Sequence, residues 1–334
     1  MSVVIPLYNK AKYIKRALDS VLAQSYQDFE VIVVNDGSTD GSEKVVEQYT
    51  DPRVRLISQQ NAGASAARNR GIVEAKYELV AFLDADDEWH PDYLVTIMQL
   101  RAEYPGAAAW GTLYEYMEAD GSHGTSSGGV VLRERRKDSG VLNYFAGRRA
   151  FHICSICALK GVLLNIGLFT EGLVRGEDEE VFIKIAMRHD IAIYLQPKAV
   201  YHREAYGRTD VEDCLWVGVP PHFQNLVAFL GGMDGPPKER REAMIDHVMF
   251  RHQEALISNV LAGHRAEAKR ILADFRRIGR YGRRQAIWHL LSWMPQTLVA
   301  RLWVLYARRL YGSEKRIGVI RYLYPPALRS KMIV

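Results

Sequence analysis

Leu79-Val80-Ala81-Phe82-Leu83-Asp84-Ala85-Asp86-Asp87 runs five uninterrupted apolar residues into three carboxylates within four positions. A short apolar run of this kind fits a strand buried on both faces, as in a parallel sheet. The carboxylates at its end repel one another, and each raises its neighbours' pKa unless a cation compensates. A hard divalent ion, Mg²⁺ or Mn²⁺, is one partner for them. A solvated acidic turn ahead of the helix at Pro91 is the competing reading.

Upstream, Val3–Leu7, Phe29–Val34 and Val54–Ile57 predict three further buried strands. The segments between them, Lys12–Leu22, Ser42–Tyr49 and Asn61–Glu74, predict helices from apolar spacing, turn residues and alanine content. Alternating strands and helices imply a doubly wound α/β sheet, whose ligands sit beyond the carboxyl ends of the strands. Downstream, Pro91–Glu103 predicts a helix, and Ala107–Trp110 and Leu113–Tyr116 predict two separate strands. Glu118–Gly140, rich in Gly and Ser and carrying Arg133-Glu134-Arg135-Arg136-Lys137, predicts a mobile loop over substrate. The apolar residues around Cys154-Ser155-Ile156-Cys157 predict a buried strand with core cysteines, since no second pair completes a zinc set.

Several strand ends carry chemistry. Asp36, in Val34-Asn35-Asp36-Gly37-Ser38-Thr39-Asp40, is placed to accept hydrogen bonds from a nucleobase or ribose, although Asp-Gly-Ser is also a common turn. Asn61 to Gly71 opens a helix with small residues, and Arg68 can offer its fork to ribose or phosphate. Gly176-Glu177-Asp178-Glu179 begins an amphipathic helix; its acids suit catalysis or simply the helix dipole. His202 follows the strand residues Ala199-Val200-Tyr201, as a ligand or a structural histidine.

Taken in order, Pro6-Leu7-Tyr8-Asn9, Val34–Asp40, Asn61–Gly71 and Phe82–Asp87 resemble the family 2 glycosyltransferases of the GT-A fold. The match is close over about residues 1–100 and looser to about residue 210. The resemblance implies a Rossmann-like, mixed, mostly parallel sheet flanked by helices, with a C-terminal helical extension. It implies an inverting, metal-dependent transferase moving one sugar from a nucleotide sugar, a UDP-sugar by preference, to a saccharide or lipid-linked acceptor. Pro6, Tyr8 and Asp36 would face the nucleoside, with Asn61, Arg68, Asp84 and Ala85 also on the donor side. Asp86 and His202 would hold Mn²⁺ or Mg²⁺, and Asp178, with Glu177 second, would be the base. The Gln-x-x-Arg-Trp run of processive synthases is absent, which favours transfer of single sugars. A nucleotidyltransferase and an inactive nucleotide-sugar-binding scaffold are the alternatives. The first wants a Gly-rich loop after strand one, where Pro6-Leu7-Tyr8-Asn9 stands.

The 334 residues, 48% hydrophobic and 25% charged, exclude a disordered or fully membrane-embedded chain. They divide by pattern into a catalytic part, 1–215 (donor 1–100, acceptor 101–215), and a helical basic part, 216–334. From Lys238 onward, 20 Lys and Arg face 7 Asp and Glu, a net +13, which leaves −8 for residues 1–237 of the overall +5. Three cysteines (Cys154, Cys157, Cys214) cannot build a disulfide framework, and no leader is recognisable, so a cytoplasmic location is expected, at most peripheral to the inner membrane face. Ile287–Tyr306 is too interrupted by polar residues to span a bilayer. Between Gln296 and Tyr311 an apolar stripe with Arg301 and Arg308 suits an anionic membrane surface, inward packing or a homo-oligomer contact. No recognition motif supports nucleic-acid binding, and the catalytic part is acidic.

Overall fold

Val3, Ile5 and Leu7 enter one apolar cluster and Val4 another, all fully buried, so the first strand, β1 (Ser2–Leu7), has cores on both faces. The period-two alternation of strand side chains imposes that division. The computed structural model describes residues 1–126, 130–145, 151–173, 176–203, 225–226, 237–277, 283–294 and 298. Helix α1 (Ile14–Leu22) buries Ile14, Ala17, Leu18 and Val21, the i, i+3, i+4, i+7 face, in the first cluster. Each buried Ile or Leu contributes about 1.5–3 kcal/mol.

The alternation continues through β2 (Glu30–Asp36), α2 (Ser42–Val46), β3 (Val54–Gln59), α3 (Ala64–Glu74) and β4 (Leu79–Phe82). There follow β5 (Glu88–Trp89), α4 (Tyr93–Glu103), β6 (Ala107–Met117), β7 (His123–Thr125), β8 (Leu132–Arg135) and β9 (Ser139–Leu142). A 3₁₀ turn (Ile153–Ser155), β10 (Ile156–Leu159), α5 (Lys160–Asn165), α6 (Glu177–Arg188) and β11 (Asp190–His202) complete the sheet-bearing part. The sheet order is β3-β2-β1-β4-β10-β6-β11-β9-β8. β10 is antiparallel to both β4 and β6, while β1, β2, β3 and β4 pair in parallel, as do β6 and β11. Six strands, β3, β2, β1, β4, β6 and β11, therefore run one way with β10 reversed among them, which is the mixed, mostly parallel sheet expected. The carboxyl ends of β1, β2, β4 and β11, which carry Tyr8, Asp36, Asp84 and His202, consequently share one edge of the sheet.

Two expectations are corrected. The two strands expected over Ala107–Tyr116 are one, β6, because Gly111 lets the strand pass beneath Phe151; a Cβ at Gly111 would stand 2.6 Å from that ring. The mobile loop expected over Glu118–Gly140 instead contains β7, paired with β6, and a β8–β9 hairpin. Arg133, Glu134 and Arg135 are exposed on β8, the outermost strand, and charge is a common guard of sheet edges.

Beyond Pro236 the described residues are helical, in α7 (Lys238–Ala262), α8 (Arg265–Arg277) and α9 (Arg283–Leu291). The chain divides into two compact units, Met1–Arg208 with Asp234–Ala243, and Thr209–Met233 with Met244–Val334. Among the described residues no helix is long and apolar enough to cross a membrane. The basic stripe of 296–311 lies outside the described residues except for Leu298, as does Cys214. Cys154 and Cys157 are buried and unbridged.

Candidate active site

Arg68 projects from α3 and is 4% exposed, too deep for an unpaired charge. Its guanidinium donates from Nη2 to Asp84 Oδ1 at 2.7 Å and from Nη1 to Glu177 Oε1 at 3.1 Å. One planar fork thus joins the end of β4 to the start of α6, two segments far apart in the chain. Burial works against the charges of all three groups. At Asp84 the attraction of Arg68, helped by His152 and Lys10, overrides burial and holds the carboxyl below its usual range. At Glu177 burial wins over Arg68, and with Asp178 beside it the carboxyl is pushed up. The two carboxylates that share one cation are therefore shifted in opposite directions.

The rest of the acidic run is distributed among different partners. Asp86 Oδ2 accepts from Lys10 Nζ at 2.7 Å, and Arg16 donates to the Asp86 carbonyl. Ala85 is buried between the two aspartates. Asp87 is wholly buried, and its Oδ1 accepts the backbone N–H of His202 at 3.0 Å. Burial, followed by the charges of Asp86 and Asp84, pushes the Asp87 carboxyl well above the usual range. His202 Nε2 lies 2.9 Å from Glu88 Oε1, so the histidine proposed as a metal ligand is packed on β5 and partnered by its carboxylate.

On the donor side, Tyr8 is 48% exposed just past β1, with its ring available to a planar group. Pro6 is half-buried within the strand and Asn61 is exposed. Asn9 takes a left-handed φ of 52°, and its side chain accepts the N–H of Thr39 at 2.8 Å, tying the first motif to the second. Asp36 is 2% exposed and accepts from Gln59 Nε2, the Ala62 N–H and the Gly63 N–H at 2.8–3.0 Å. Three of its roughly four acceptor positions are thus committed to the loop that leads into α3. Gly37 sits at φ +75° with a would-be Cβ 3.0 Å from the Asn61 backbone nitrogen, so this close crossing of two loops requires glycine.

Asp178 is the second residue of α6, after Gly176 at φ 83°, and its Oδ1 accepts the Glu179 N–H at 2.7 Å. Asn69, the neighbour of Arg68, accepts the Phe169 N–H and donates to the Phe169 carbonyl, both at 2.9 Å. Arg68 and Asn69 together therefore hold both the loop before α6 and its first residue.

Sequence reasoning did not single out Lys10, Arg16, Asn69 or Glu88. Lys10 directly follows the Tyr8-Asn9 motif, a usable signal. Nothing local marks Arg16 or Glu88, because their partners are distant in the chain.

The family model described as glycosyl transferase family 2 matches residues 2–159. Glycosyltransferase GlyG of Streptococcus pneumoniae serotype 4 is 38% identical over 216 residues, 62% of this chain and 71% of that protein. Glycosyltransferase GlyA of the same organism is 39% identical over 123 residues, 36% of this chain, and the match spans only 18% of its length. Among solved structures, residues 1–349 of S. aureus TarS in complex with UDP-GlcNAc superpose with a TM-score of 0.65 at 18% identity, over 93% of each chain. That likeness is one of fold.

Proposed function

The chain belongs to glycosyl transferase family 2, and from that premise we propose that it is an inverting, divalent-metal-dependent transferase that moves one sugar from a nucleotide sugar to a saccharide or lipid-linked acceptor in polysaccharide biosynthesis. The observation that carries this reading is the Arg68 bridge, which holds Asp84 and Glu177 within hydrogen-bond distance of one guanidinium. Donor-side and base-side carboxylates thereby become parts of one site.

Tyr8 offers a face for the base of a nucleotide, and UDP is favoured by the TarS likeness together with the motifs after β1 and β2. Asp36 acts by pinning the Asn61–Gly63 loop that shapes this end of the site. Asp86 fits a hard divalent cation: it is a carboxylate whose Oδ2 already attracts the ammonium of Lys10. His202 would join such a site only by releasing Glu88. When bound, Mn²⁺ or Mg²⁺ supplies charge neutralisation to the departing diphosphate. Asp178 is the base that takes the acceptor hydroxyl proton as the oxygen attacks the anomeric carbon, while Glu177, engaged by Arg68, positions it. The basic C-terminal part is the natural contact with an anionic membrane that carries a lipid-linked acceptor.

Asp86→Ala is expected to abolish transfer and metal-dependent nucleotide binding, as measured by calorimetry with a nucleoside diphosphate with and without Mn²⁺. Unchanged turnover and binding would remove Asp86 from the reading.

A further inference from the structure

Next to the proposed transfer site lies a second cluster that the reaction does not use. Asp87, His152 and Cys154 present an oxygen, a nitrogen and a sulfur whose ligating atoms all lie within 4.8 Å of one another. His152 Nδ1 is 3.2 Å from Cys154 Sγ and 3.7 Å from Asp87 Oδ2. A tetrahedral ion bound at about 2.0–2.3 Å by N, O and S ligands separates those ligands by about 3.3–3.7 Å. The N–O edge lies at the upper end of that range and the N–S edge just below it, so small side-chain adjustments complete the set.

Asp87 provides an independent sign of a missing partner. Its side chain is fully buried, and Oδ2 has no well-formed hydrogen bond, the Cys154 thiol being the weak donor at hand. Buried polar atoms are ordinarily satisfied, and an orphan facing a histidine and a thiol points to a ligand. Each of the three groups is also held by a second contact. Asp87 Oδ1 takes the His202 N–H, the His152 ring stacks on Tyr201 at 4.0 Å, and the Cys154 carbonyl accepts Trp89 Nε1 at 2.6 Å. Outer contacts of this kind orient metal ligands before an ion arrives. His152 is 18% exposed in its side chain, which leaves an approach from solvent.

We propose that Asp87, His152 and Cys154 form a binding site for a borderline divalent cation of the Zn²⁺ type, separate from the hard-cation position at Asp86. The mixed N, O, S set selects Zn²⁺ or Co²⁺ over Mg²⁺. Bound there, the ion would tie the loop after β4 to the 3₁₀ turn before β10. Cys157, paired within the sheet opposite Ala81 and Trp110, is a core cysteine and takes no part.

The test is Co²⁺ titration of the full chain after chelator treatment, followed by absorption. The proposal expects a near-ultraviolet sulfur-to-cobalt charge-transfer band that saturates at one equivalent, is displaced by Zn²⁺ and persists in excess Mg²⁺. Cys154→Ser removes the band, whereas Cys157→Ser and Asp86→Ala keep it. A wild-type protein without the band overturns the proposal whatever the variants do. So does a band that survives Cys154→Ser or is lost in Asp86→Ala. None of these readouts depends on transfer activity, so a failure here is distinct from a failure of the glycosyltransfer reading.

Discussion

At Arg68 a single side chain satisfies two carboxylates that the fold brings together from 16 and 109 residues away. Arg68→Met leaves both partly buried and unpaired and is expected to cost about 3–5 kcal/mol. The loss should depend on pH in a definite sense. Wild-type Asp84 is held below the usual range of about pH 4, so its pairing contributes fully above that range and is lost as pH falls through the lowered value. In the variant, burial dominates and raises the carboxyl, which then destabilises the fold as pH rises. Urea midpoints should therefore differ most near neutrality and converge toward acid pH; a constant gap would contradict the ion-pair account. That the acidic run follows a buried strand, and that Arg68 lies on the helix after the third strand, was legible in the sequence. Its bond to Glu177 was not, because nothing local records a contact between segments so far apart. Asp36, expected to face the nucleoside, is buried and accepts from Gln59 and from the loop that leads into α3, contacts that nothing local in the sequence records.

Among the elements, α3, which carries Arg68, lies close against β1. A Cβ at Gly71 would stand 2.3 Å from Val4 Cγ1, in a strand that cannot yield. Gly71→Ala is expected to destabilise by about 1–3 kcal/mol, despite the better helix propensity of alanine. Gly161→Ala in α5, where no atom lies within 4 Å of the new Cβ, should be neutral or gain about 0.4–1 kcal/mol. Thermal midpoints of the two variants should move in opposite directions or differ by several degrees; equal shifts would argue against close helix–strand packing. The first four strands and three helices were legible from apolar runs, helical spacing and turn residues, although β3, expected to be buried, is half-exposed because it ends the sheet. The hairpin of β8 and β9 was not, because edge strands carry the charges that otherwise mark loops. β6 was divided at Gly111, which reads as a break but makes room for Phe151.

For the whole molecule, charge is partitioned along the chain, −8 before Lys238 and +13 from Lys238 onward. If the basic part meets anionic lipid, each surface Lys or Arg adds about 1 kcal/mol near the membrane. The full chain should cosediment with phosphatidylserine-containing vesicles at low salt, be released as salt screens the charges, and ignore neutral vesicles. Equal binding to neutral vesicles, or none to either kind, would contradict a membrane role for this part. The Arg68-bridged carboxylates are proposed to form a sugar-transfer site with Asp178 as base. The decisive measurement is nucleoside diphosphate release from a panel of nucleotide sugars with Mn²⁺, for the wild type and for Asp178→Asn. The wild type should turn over at least one donor, and in Asp178→Asn donor binding should survive while turnover falls by about 10²-fold or more. Undiminished turnover in Asp178→Asn, or no turnover of any donor by the wild type, would contradict that proposal.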